Sequence, residues 1–298
     1  MNGVKELLKQ VVSGDKKALA RCITIVENEL DGYEEILTML RFEKTGTVIG
    51  ITGPPGAGKS TLINAITKAL IEKNKTVGII AIDPTSPFNY GSLLGDRLRM
   101  SEHFTHKNVF IRSLATRGSL GGLSVKTIEI VDVMRAFGFD YIIVETVGVG
   151  QSEVEIVGLA DLTILVLVPE SGDEVQTIKS GIMEIADIFV VNKADRMGAD
   201  IFAKNLITLA HAKENEIPVI KSVATQADGV NEIIFSINKL ATKKQNEKRN
   251  FLLAEKAFRL IQNERMKNVN KSDLQKKIEI EISKGDFNLY QFVKKFNT

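Results

Sequence analysis

A glycine-rich stretch that ends in a lysine and a serine constrains the fold of this chain most. It reads Gly-Pro-Pro-Gly-Ala-Gly-Lys-Ser over residues 53–60, behind the apolar run 48–51 and ahead of the helical apolar spacing of 62–66. Glycines let successive backbone N–H groups turn toward one anion, and a helix N-terminus behind the loop adds a favourable dipole. In this context the lysine serves the β- and γ-phosphates and the hydroxyl serves Mg²⁺, so the stretch predicts a nucleoside triphosphate site. The predicted binding residues are Gly53, Pro54, Pro55, Gly56, Ala57, Gly58, Lys59, Ser60 and Thr61.

A second motif indicates which base the nucleotide carries. Residues 192–195 read Asn-Lys-Ala-Asp and follow the apolar run 188–191. The carboxylate of Asp195 can accept two hydrogen bonds from the N1–H and the exocyclic amine of guanine, whereas adenine offers no such donor pair. The alkyl chain of Lys193 can lie across the base, and Asn192 can join neighbouring loops. The motif therefore predicts that the chain binds GTP and GDP.

Apolar runs of strand length alternate with helical stretches over residues 46–242. The runs are 47–52, 76–82, 109–113, 140–145, 162–168, 188–192 and 218–223. Several of them are almost wholly apolar, which is typical of a parallel sheet that helices cover on both faces. The pattern predicts an α/β fold of the P-loop NTPase type, with a mainly parallel central sheet flanked by helices. Ligands of such sheets bind beyond the carboxyl ends of the strands, where both motifs lie.

Helical patterns flank this nucleotide-binding domain on both sides. Residues 1–45 carry apolar side chains at helical spacing, and residues 243–298 carry three short apolar stripes on a very polar background. Such stripes need a partner surface, either the domain itself or a second subunit. Residues 239–298 hold 15 Lys and Arg against 7 Asp and Glu. The apolar residues of this stretch recur at helical spacing and not in aromatic-basic clusters, which favours amphipathic helices with solvated lysines, so we expect no nucleic-acid partner.

The single cysteine bears on the cellular compartment. Because Cys22 is the one cysteine, an internal disulfide is excluded. Its apolar helical pattern suits a core position, and a free thiol suits a reducing compartment. Residues 1–25 show no secretory pattern, and the longest apolar run, 162–168, is far shorter than a membrane span. The content of 44% apolar and 26% charged residues is ordinary for a globular protein. We expect a cytoplasmic protein with no membrane partner.

Acidic residues near strand ends are the candidates for completing a Mg²⁺ shell. Asp83 and Glu145 each close an apolar run, and Asp96 lies in a Gly-Asp-Arg sequence. Residues 145–148 read Glu-Thr-Val-Gly where common GTPases have Asp-x-x-Gly, so the N–H of Gly148 can meet the γ-phosphate. The predicted metal ligands are Ser60, Asp83, Asp96 and Glu145, and the predicted catalytic residues are Lys59, Asp96 and Glu145.

Five strings, in this order, complete the sequence pattern. They occupy residues 83–86, 95–100, 117–123, 145–153 and 172–179. The third reads Arg-Gly-Ser-Leu-Gly-Gly-Leu, and the fourth reads Glu-Thr-Val-Gly-Val-Gly-Gln-Ser-Glu. Together they resemble the MeaB/ArgK family of GTPases, and the resemblance covers almost the whole chain with both helical flanks. It implies a GTPase that acts as a chaperone of adenosylcobalamin-dependent methylmalonyl-CoA mutase.

The resemblance also implies roles for single residues. It keeps the phosphate role of Lys59 and the metal role of Ser60. It places Asp83, Asp96 and Glu145 around the metal and the switch regions. The stretch from Asp173 to Lys179 resembles an additional switch that communicates with the mutase. The expected activity is slow intrinsic GTP hydrolysis that rises when a partner orders the switches.

Two further features of the family bear on this chain. The family's base loop usually reads Ser-Ala, where this chain has Val223, Ala224 and Thr225. The backbone N–H of Ala224 can still meet O6 of guanine, so these three residues are predicted to contact the base. Family members dimerise through their C-terminal helices, and the apolar stripes of residues 243–298 agree with a homodimer.

Other function classes share a nucleotide-binding fold. A GTPase metallochaperone for nickel or zinc should carry Cys and His clusters, whereas this chain has one Cys and only His103, His106 and His211. A small-molecule or protein kinase linked to transport would use ATP, against which the motif at 192–195 argues. A pure switch that binds GTP and recruits partners would differ in showing no hydrolysis that a client stimulates.

Overall fold

A parallel sheet forms the centre of the fold. The computed structural model describes residues 2–43, 46–83, 100–115, 126–146, 156–170, 186–210, 217–244 and 249–296. Within these ranges the sheet has seven strands: β1 (Thr47–Thr52), β2 (Val77–Asp83), β3 (Val109–Ala115), β4 (Tyr141–Glu145), β5 (Leu162–Leu167), β6 (Ile188–Asn192) and β7 (Val219–Ser222). Their order is β3-β2-β4-β1-β5-β6-β7, and neighbouring strands pair in parallel. The predicted α/β fold is therefore confirmed.

Helices precede, connect and follow these strands. In the same ranges they are α1 (Asn2–Val12), α2 (Lys16–Glu27), α3 (Tyr33–Met39), α4 (Lys59–Glu72), α5 (Thr127–Phe137), α6 (Ala199–Ala210), α7 (Val230–Lys244), α8 (Arg249–Met266), α9 (Lys271–Ser283) and α10 (Leu289–Phe296). Single 3₁₀ turns lie at Ser101–His103, Ile156–Gly158 and Ala224–Gln226. Helix α4 begins inside the glycine-rich stretch, as the predicted strand–loop–helix unit requires.

Helices cover both faces of the sheet. Val48 of β1 packs in a cluster with α1, α2 and α5, whereas Ile49 and Ile51 pack with α4 and α7 on the other face. Leu165 and Leu167 of β5 pack against α6. Because side chains of a strand alternate between its two faces, strands covered on both faces have to be apolar throughout. The near-continuous apolar runs of the sequence are explained by this arrangement.

Helix α2 is part of this core. The carboxylate of Asp15 caps its N-terminus and accepts hydrogen bonds from the N–H groups of Lys17 and Ala18. Its buried residues are Ala18, Leu19, Cys22, Ile23 and Val26. Burial raises the pKa of the Cys22 thiol to about 12. The cysteine is therefore a core residue, as the sequence pattern predicts.

Two basic side chains tie α2 to the edge strand β3. The Nζ atom of Lys16 donates hydrogen bonds to the carbonyl oxygens of His106 and Val109, at 3.0 and 2.6 Å. Arg112 of β3 forms an ion pair with Glu27 at the other end of α2. Burial lowers the pKa of Lys16. The helix is thus attached to the sheet at both of its ends.

The C-terminal part of the chain forms a compact unit of its own. Residues 1–252 make up the first unit and residues 253–298 the second. Within the second unit, the ring of Phe292 lies 6.0 Å from that of Phe287 and 6.1 Å from that of Phe296. Exposed large apolar side chains of this unit include Leu253, Phe258, Ile261, Ile280, Ile282, Leu289, Tyr290 and Val293. The domain boundaries at residues 45 and 242 stay sequence predictions.

Candidate functional site

The glycine-rich loop leaves the carboxyl end of β1, between β4 and β5 in the middle of the sheet. Gly53 and Gly58 adopt φ angles of +142° and +86°, which residues other than glycine rarely adopt. A Cβ atom on Gly53 would lie 2.1 Å from the carbonyl oxygen of Val166, and one on Gly58 would lie 2.4 Å from Nδ2 of Asn192. The loop is therefore a cradle whose shape depends on glycine, as phosphate binding by backbone N–H groups requires.

The lysine at the end of the loop points back over it. Lys59 is only 7% exposed, and its Nζ atom donates hydrogen bonds to the carbonyl oxygens of Gly53 and Pro54, at 2.8 and 3.2 Å. A buried ammonium group needs such acceptors or an anion beside it. The charge of Lys59 is thus held at the loop.

The serine that follows contacts an acidic residue from the neighbouring strand. The hydroxyl of Ser60 donates a hydrogen bond of 2.7 Å to Oε1 of Glu145, and both side chains are 5% exposed. The parallel register of β1 and β4 pairs Ile51 with Glu145, which brings the carboxylate to the start of the loop. A hydroxyl and a carboxylate are the oxygen ligands that Mg²⁺ prefers, so the two side chains fit a magnesium ion.

Most of the remaining predicted residues of the metal and switch regions lie outside the described ranges. Asp83 ends β2, where it pairs with Ala115 of β3, and only its backbone is described. Asp96 and Gly148 lie outside the described residues, as does the predicted additional switch at 173–179. Of the four predicted metal ligands, the structure therefore brings Ser60 and Glu145 together and does not test the other two.

Asn192 joins three loops at the end of β6. Its Nδ2 atom donates a hydrogen bond of 2.8 Å to the carbonyl oxygen of Ala57, in the glycine-rich loop. Its Oδ1 atom accepts a hydrogen bond of 3.2 Å from the N–H of Ala224, in the loop after β7. Asn192 itself is 2% exposed. One buried amide thus fixes the predicted base loop against the predicted phosphate loop.

The next residues of the motif turn toward the surface. Lys193 has a φ angle of +56°, and its Nζ atom donates a hydrogen bond of 2.7 Å to the carbonyl oxygen of Gly56. The N–H of Ala194 donates to the carbonyl oxygen of Ser222, at 3.0 Å. Asp195 is exposed, which leaves its carboxylate accessible to a ligand.

The loop after β7 is folded by its own hydrogen bonds. The N–H of Val223 and the hydroxyl of Ser222 both donate to the carbonyl oxygen of Asp228, at 3.2 and 2.9 Å. Val223 and Ala224 are buried, whereas Thr225 is exposed. The three predicted base-loop residues thus lie next to Asn192 through the contact of Ala224.

Two side-chain pairs of this region were not predicted from the sequence. Thr52 and Thr146 form a buried hydrogen bond between their hydroxyl groups. Arg196 forms an ion pair with Glu170, which follows β5, and the hydrogen bond from Arg196 lowers the pKa of Glu170. The signal for the first pair was the threonine that ends β1, directly before the loop.

The fold and these two motifs define a guanine-nucleotide hydrolase of the P-loop class. Comparison with known proteins agrees: the family described as Methylmalonyl Co-A mutase-associated GTPase MeaB matches residues 19–280. The chain belongs to the MeaB family and is a GTPase. The sequence-based recognition of this family is therefore confirmed.

Individual relatives cover most or part of the chain. A GTPase of Pyrococcus abyssi is 47% identical over 293 residues, which span 95% of this chain and 89% of that protein. The mitochondrial methylmalonic aciduria type A homolog of Mus musculus is 39% identical over 207 residues, which span 64% of this chain and 50% of that protein. The crystal structure of a LAO/AO transport system kinase superposes with a TM-score of 0.68 over 99% of this chain and 96% of that one. At 23% identity, this last similarity supports the fold alone.

A pair of glycine substitutions separates the contact with Asn192 from backbone strain. Gly56 and Gly58 both have positive φ angles, but a Cβ atom on Gly56 would meet nothing within 4 Å, whereas one on Gly58 would collide with the amide of Asn192. We expect Gly58→Ala to lower the affinity for GDP by about tenfold more than Gly56→Ala does, because only Gly58→Ala adds this collision to the strain. Titration with a fluorescent GDP analogue measures both. Equal losses in the two variants would contradict the role of this contact.

Proposed function

We propose that the chain is a GTP-driven chaperone that assembles or protects an adenosylcobalamin-dependent methylmalonyl-CoA mutase. The match of residues 19–280 to a family described as mutase-associated carries this proposal. The name of the mouse relative, which refers to methylmalonic aciduria, points to the same metabolism. The proposed cycle couples GTP binding and hydrolysis to a change in the contact with the mutase.

The phosphates of GTP are proposed to lie in the loop of residues 53–60. Lys59 would then exchange the carbonyl oxygens of Gly53 and Pro54 for the β- and γ-phosphates, because an anion is the stronger partner for its ammonium group. The positive φ angles of the glycines support this placement, since they let the loop wrap an anion without side chains in the way. Lys59, Asp96 and Glu145 are the proposed catalytic residues.

Ser60 and Glu145 are proposed to hold Mg²⁺, together with Asp83 and Asp96. The metal would neutralise charge on the phosphate oxygens. The contact between Ser60 and Glu145 supports this assignment, because it places a hydroxyl and a carboxylate side by side in a buried site. Gly148 is proposed to donate its N–H to the γ-phosphate and thereby to respond to hydrolysis.

Asp195 is proposed to select guanine. Asn192 and Lys193 hold the neighbouring backbone through the carbonyl oxygens of Ala57 and Gly56, and the Asp195 carboxylate stays accessible. Val223, Ala224 and Thr225 are proposed to close the other side of the base. Charged hydrogen bonds from the carboxylate to guanine would favour GTP over ATP.

Replacing the carboxylate tests this selection. The amide of Asp195→Asn can donate to the C2 carbonyl of xanthine, whereas it cannot accept both donors of guanine. We expect the affinity for GDP to fall by about 10- to 100-fold and that for XDP to rise, measured by competition against a fluorescent nucleotide. Asp200→Asn is the matched control, because Asp200 is exposed and pairs with Lys221 at 2.7 Å. A parallel fall for both nucleotides, or the same change in the control, would contradict the role of Asp195.

Phosphate release tests the function as a whole. We expect release from GTP and not from ATP, slowly for the chain alone and faster with a methylmalonyl-CoA mutase loaded with adenosylcobalamin. A partner that orders switch regions can accelerate a GTPase by ~10³- to 10⁵-fold. Albumin in place of the mutase controls for protein concentration, and Lys59→Ala controls for contaminating activity. Fast turnover without a partner, or no response to the mutase, would contradict the chaperone proposal, and use of ATP would contradict the assignment of Asp195.

A homodimer is proposed through the C-terminal unit. Leu289, Val293 and Phe296 recur at i, i+4 and i+7 on α10 and are all exposed, so the helix presents an apolar face that a second copy could cover. We expect twice the chain mass of 32.8 kDa in light scattering, and a shift to the chain mass in Val293→Glu. Lys294→Glu, on the neighbouring position, should leave the dimer intact. A wild-type chain that elutes as a monomer at all concentrations would contradict this proposal.

A GTPase metallochaperone is the weaker alternative. No group of three or more His, Cys, Asp and Glu side chains suited to a metal ion occurs in the part of the chain that the structure describes. His103 is buried, and Nδ1 of His106 accepts a hydrogen bond from the N–H of Asn108. The side chain of His106 therefore serves the turn before β3. Addition of nickel or zinc should leave GTP hydrolysis unchanged.

A cytoplasmic location is proposed from the state of the single cysteine. Cys22 is a free, fully buried thiol, which agrees with a reducing compartment. Among the described helices, none has the length and apolar character to cross a bilayer. Recovery of the chain in a membrane or extracellular fraction would contradict the proposal.

A further inference from the structure

Two buried threonine hydroxyls connect the start of the phosphate-binding loop with the strand that carries Glu145. Thr52 is the last residue of β1, directly before Gly53, and Thr146 directly follows Glu145. The hydroxyl of Thr146 donates a hydrogen bond of 2.9 Å to Oγ1 of Thr52, and its N–H donates one of 3.1 Å to the carbonyl oxygen of Ile51. The two side chains are 1% and 0% exposed. The pair therefore fixes the chain before the loop relative to the chain after the acidic residue.

The two hydroxyl groups align the ends of β1 and β4 and add nothing to the burial of apolar surface. Valine has nearly the volume of threonine, so an apolar side chain would fill either position, as the buried side chains of Val48 and Ile51 do in β1. A buried hydroxyl costs free energy unless it is hydrogen-bonded, and here the hydroxyl of Thr146 donates to that of Thr52, so each has a hydrogen-bond partner. The pair is therefore directional: it is satisfied only when the ends of β1 and β4 keep their present alignment.

The same two segments are also joined by Ser60 and Glu145. Both of these groups are proposed to serve the metal, so their mutual hydrogen bond has to change during the reaction cycle. The threonine pair involves neither group and can persist while that bond changes. It is a second link between loop and strand that does not depend on the ligands of the site.

We propose that the Thr52–Thr146 pair is a positioning element that keeps the phosphate-binding loop and Glu145 aligned for hydrolysis. The proposal rests on GTP hydrolysis alone and not on the identity of a client. A displacement of about 1 Å can cost a reaction ~100-fold, whereas binding through many loop contacts tolerates such a shift better. Loss of the pair therefore lowers kcat more than it lowers nucleotide affinity.

Single substitutions test this difference. We expect Thr146→Val to lower kcat for GTP by about tenfold or more, and the affinity for GDP by less than about threefold. Thr146→Ser keeps the hydroxyl and should restore kcat to within about threefold of wild type. Thr67→Val is the matched control, because Thr67 is also 0% exposed but donates its hydroxyl to the carbonyl oxygen of Ile63 within its own helix. A loss in Thr146→Val no greater than that in the control would overturn the proposal.

The double variant Thr52→Val/Thr146→Val separates positioning from stability. Removing both partners leaves no buried hydroxyl without a hydrogen bond, so resistance to urea should recover relative to either single variant. If the pair positions the loop, kcat stays low although the stability has recovered. If kcat recovers together with the stability, the pair is merely structural and the proposal fails. A single variant that does not fold leaves this comparison intact, because the double variant and Thr146→Ser carry it.

Discussion

The parallel pairing of β1 with β4 is the constraint on which the site depends. Because both strands run in the same direction, their carboxyl ends meet at one edge of the sheet, and the register pairs Ile51 with Glu145. Ser60 and Glu145 are 85 positions apart in sequence, yet their side chains are in contact. A shift of this register by one residue would turn Glu145 to the opposite face of the sheet. Such a shift would also send the side chains of β4 into the opposite helical layers, so Ile142 and Val144 would lose their packing in one layer and Ile143 its packing in the other.

The buried amide of Asn192 extends this arrangement across the sheet. It connects loops that follow β1, β6 and β7, three strands whose ends lie at the same edge. Gly58 has no side chain where the amide passes, so the loop and Asn192 depend on each other's identity. The two predicted nucleotide motifs, one for phosphate and one for base, are thus parts of a single hydrogen-bonded unit. Because the two motifs form one unit, finding both in a sequence predicts a guanine-nucleotide site more firmly than finding either one.

Much of this fold could be predicted from the sequence because strands buried on both faces leave an unmistakable apolar run. The predicted runs 47–52 and 188–192 coincide with β1 and β6, and each polar motif follows such a run. The grouping of Ser60 with Glu145 was likewise predicted, from their places after two strands, and their metal role stays a prediction. The contact of Thr52 with Thr146 could not be predicted, because threonine is also a common strand residue and the contact depends on strand order. The same holds for Arg196 and Glu170, whose pairing requires that β5 and β6 be neighbours.

Because Cys22 is buried, the rate at which a thiol reagent labels it measures local opening of the chain. The thiol is the one sulfhydryl in the sequence, it is fully buried in the cluster that α1, α2 and α5 form over the sheet, and its pKa of about 12 leaves almost no thiolate at neutral pH. A thiol reagent can modify it only when this cluster opens, so the labelling rate follows the local opening of the packing around α2. A cysteine introduced at an exposed position elsewhere would react far faster. Spectroscopic probes can therefore be attached at chosen sites while the native cysteine stays in place.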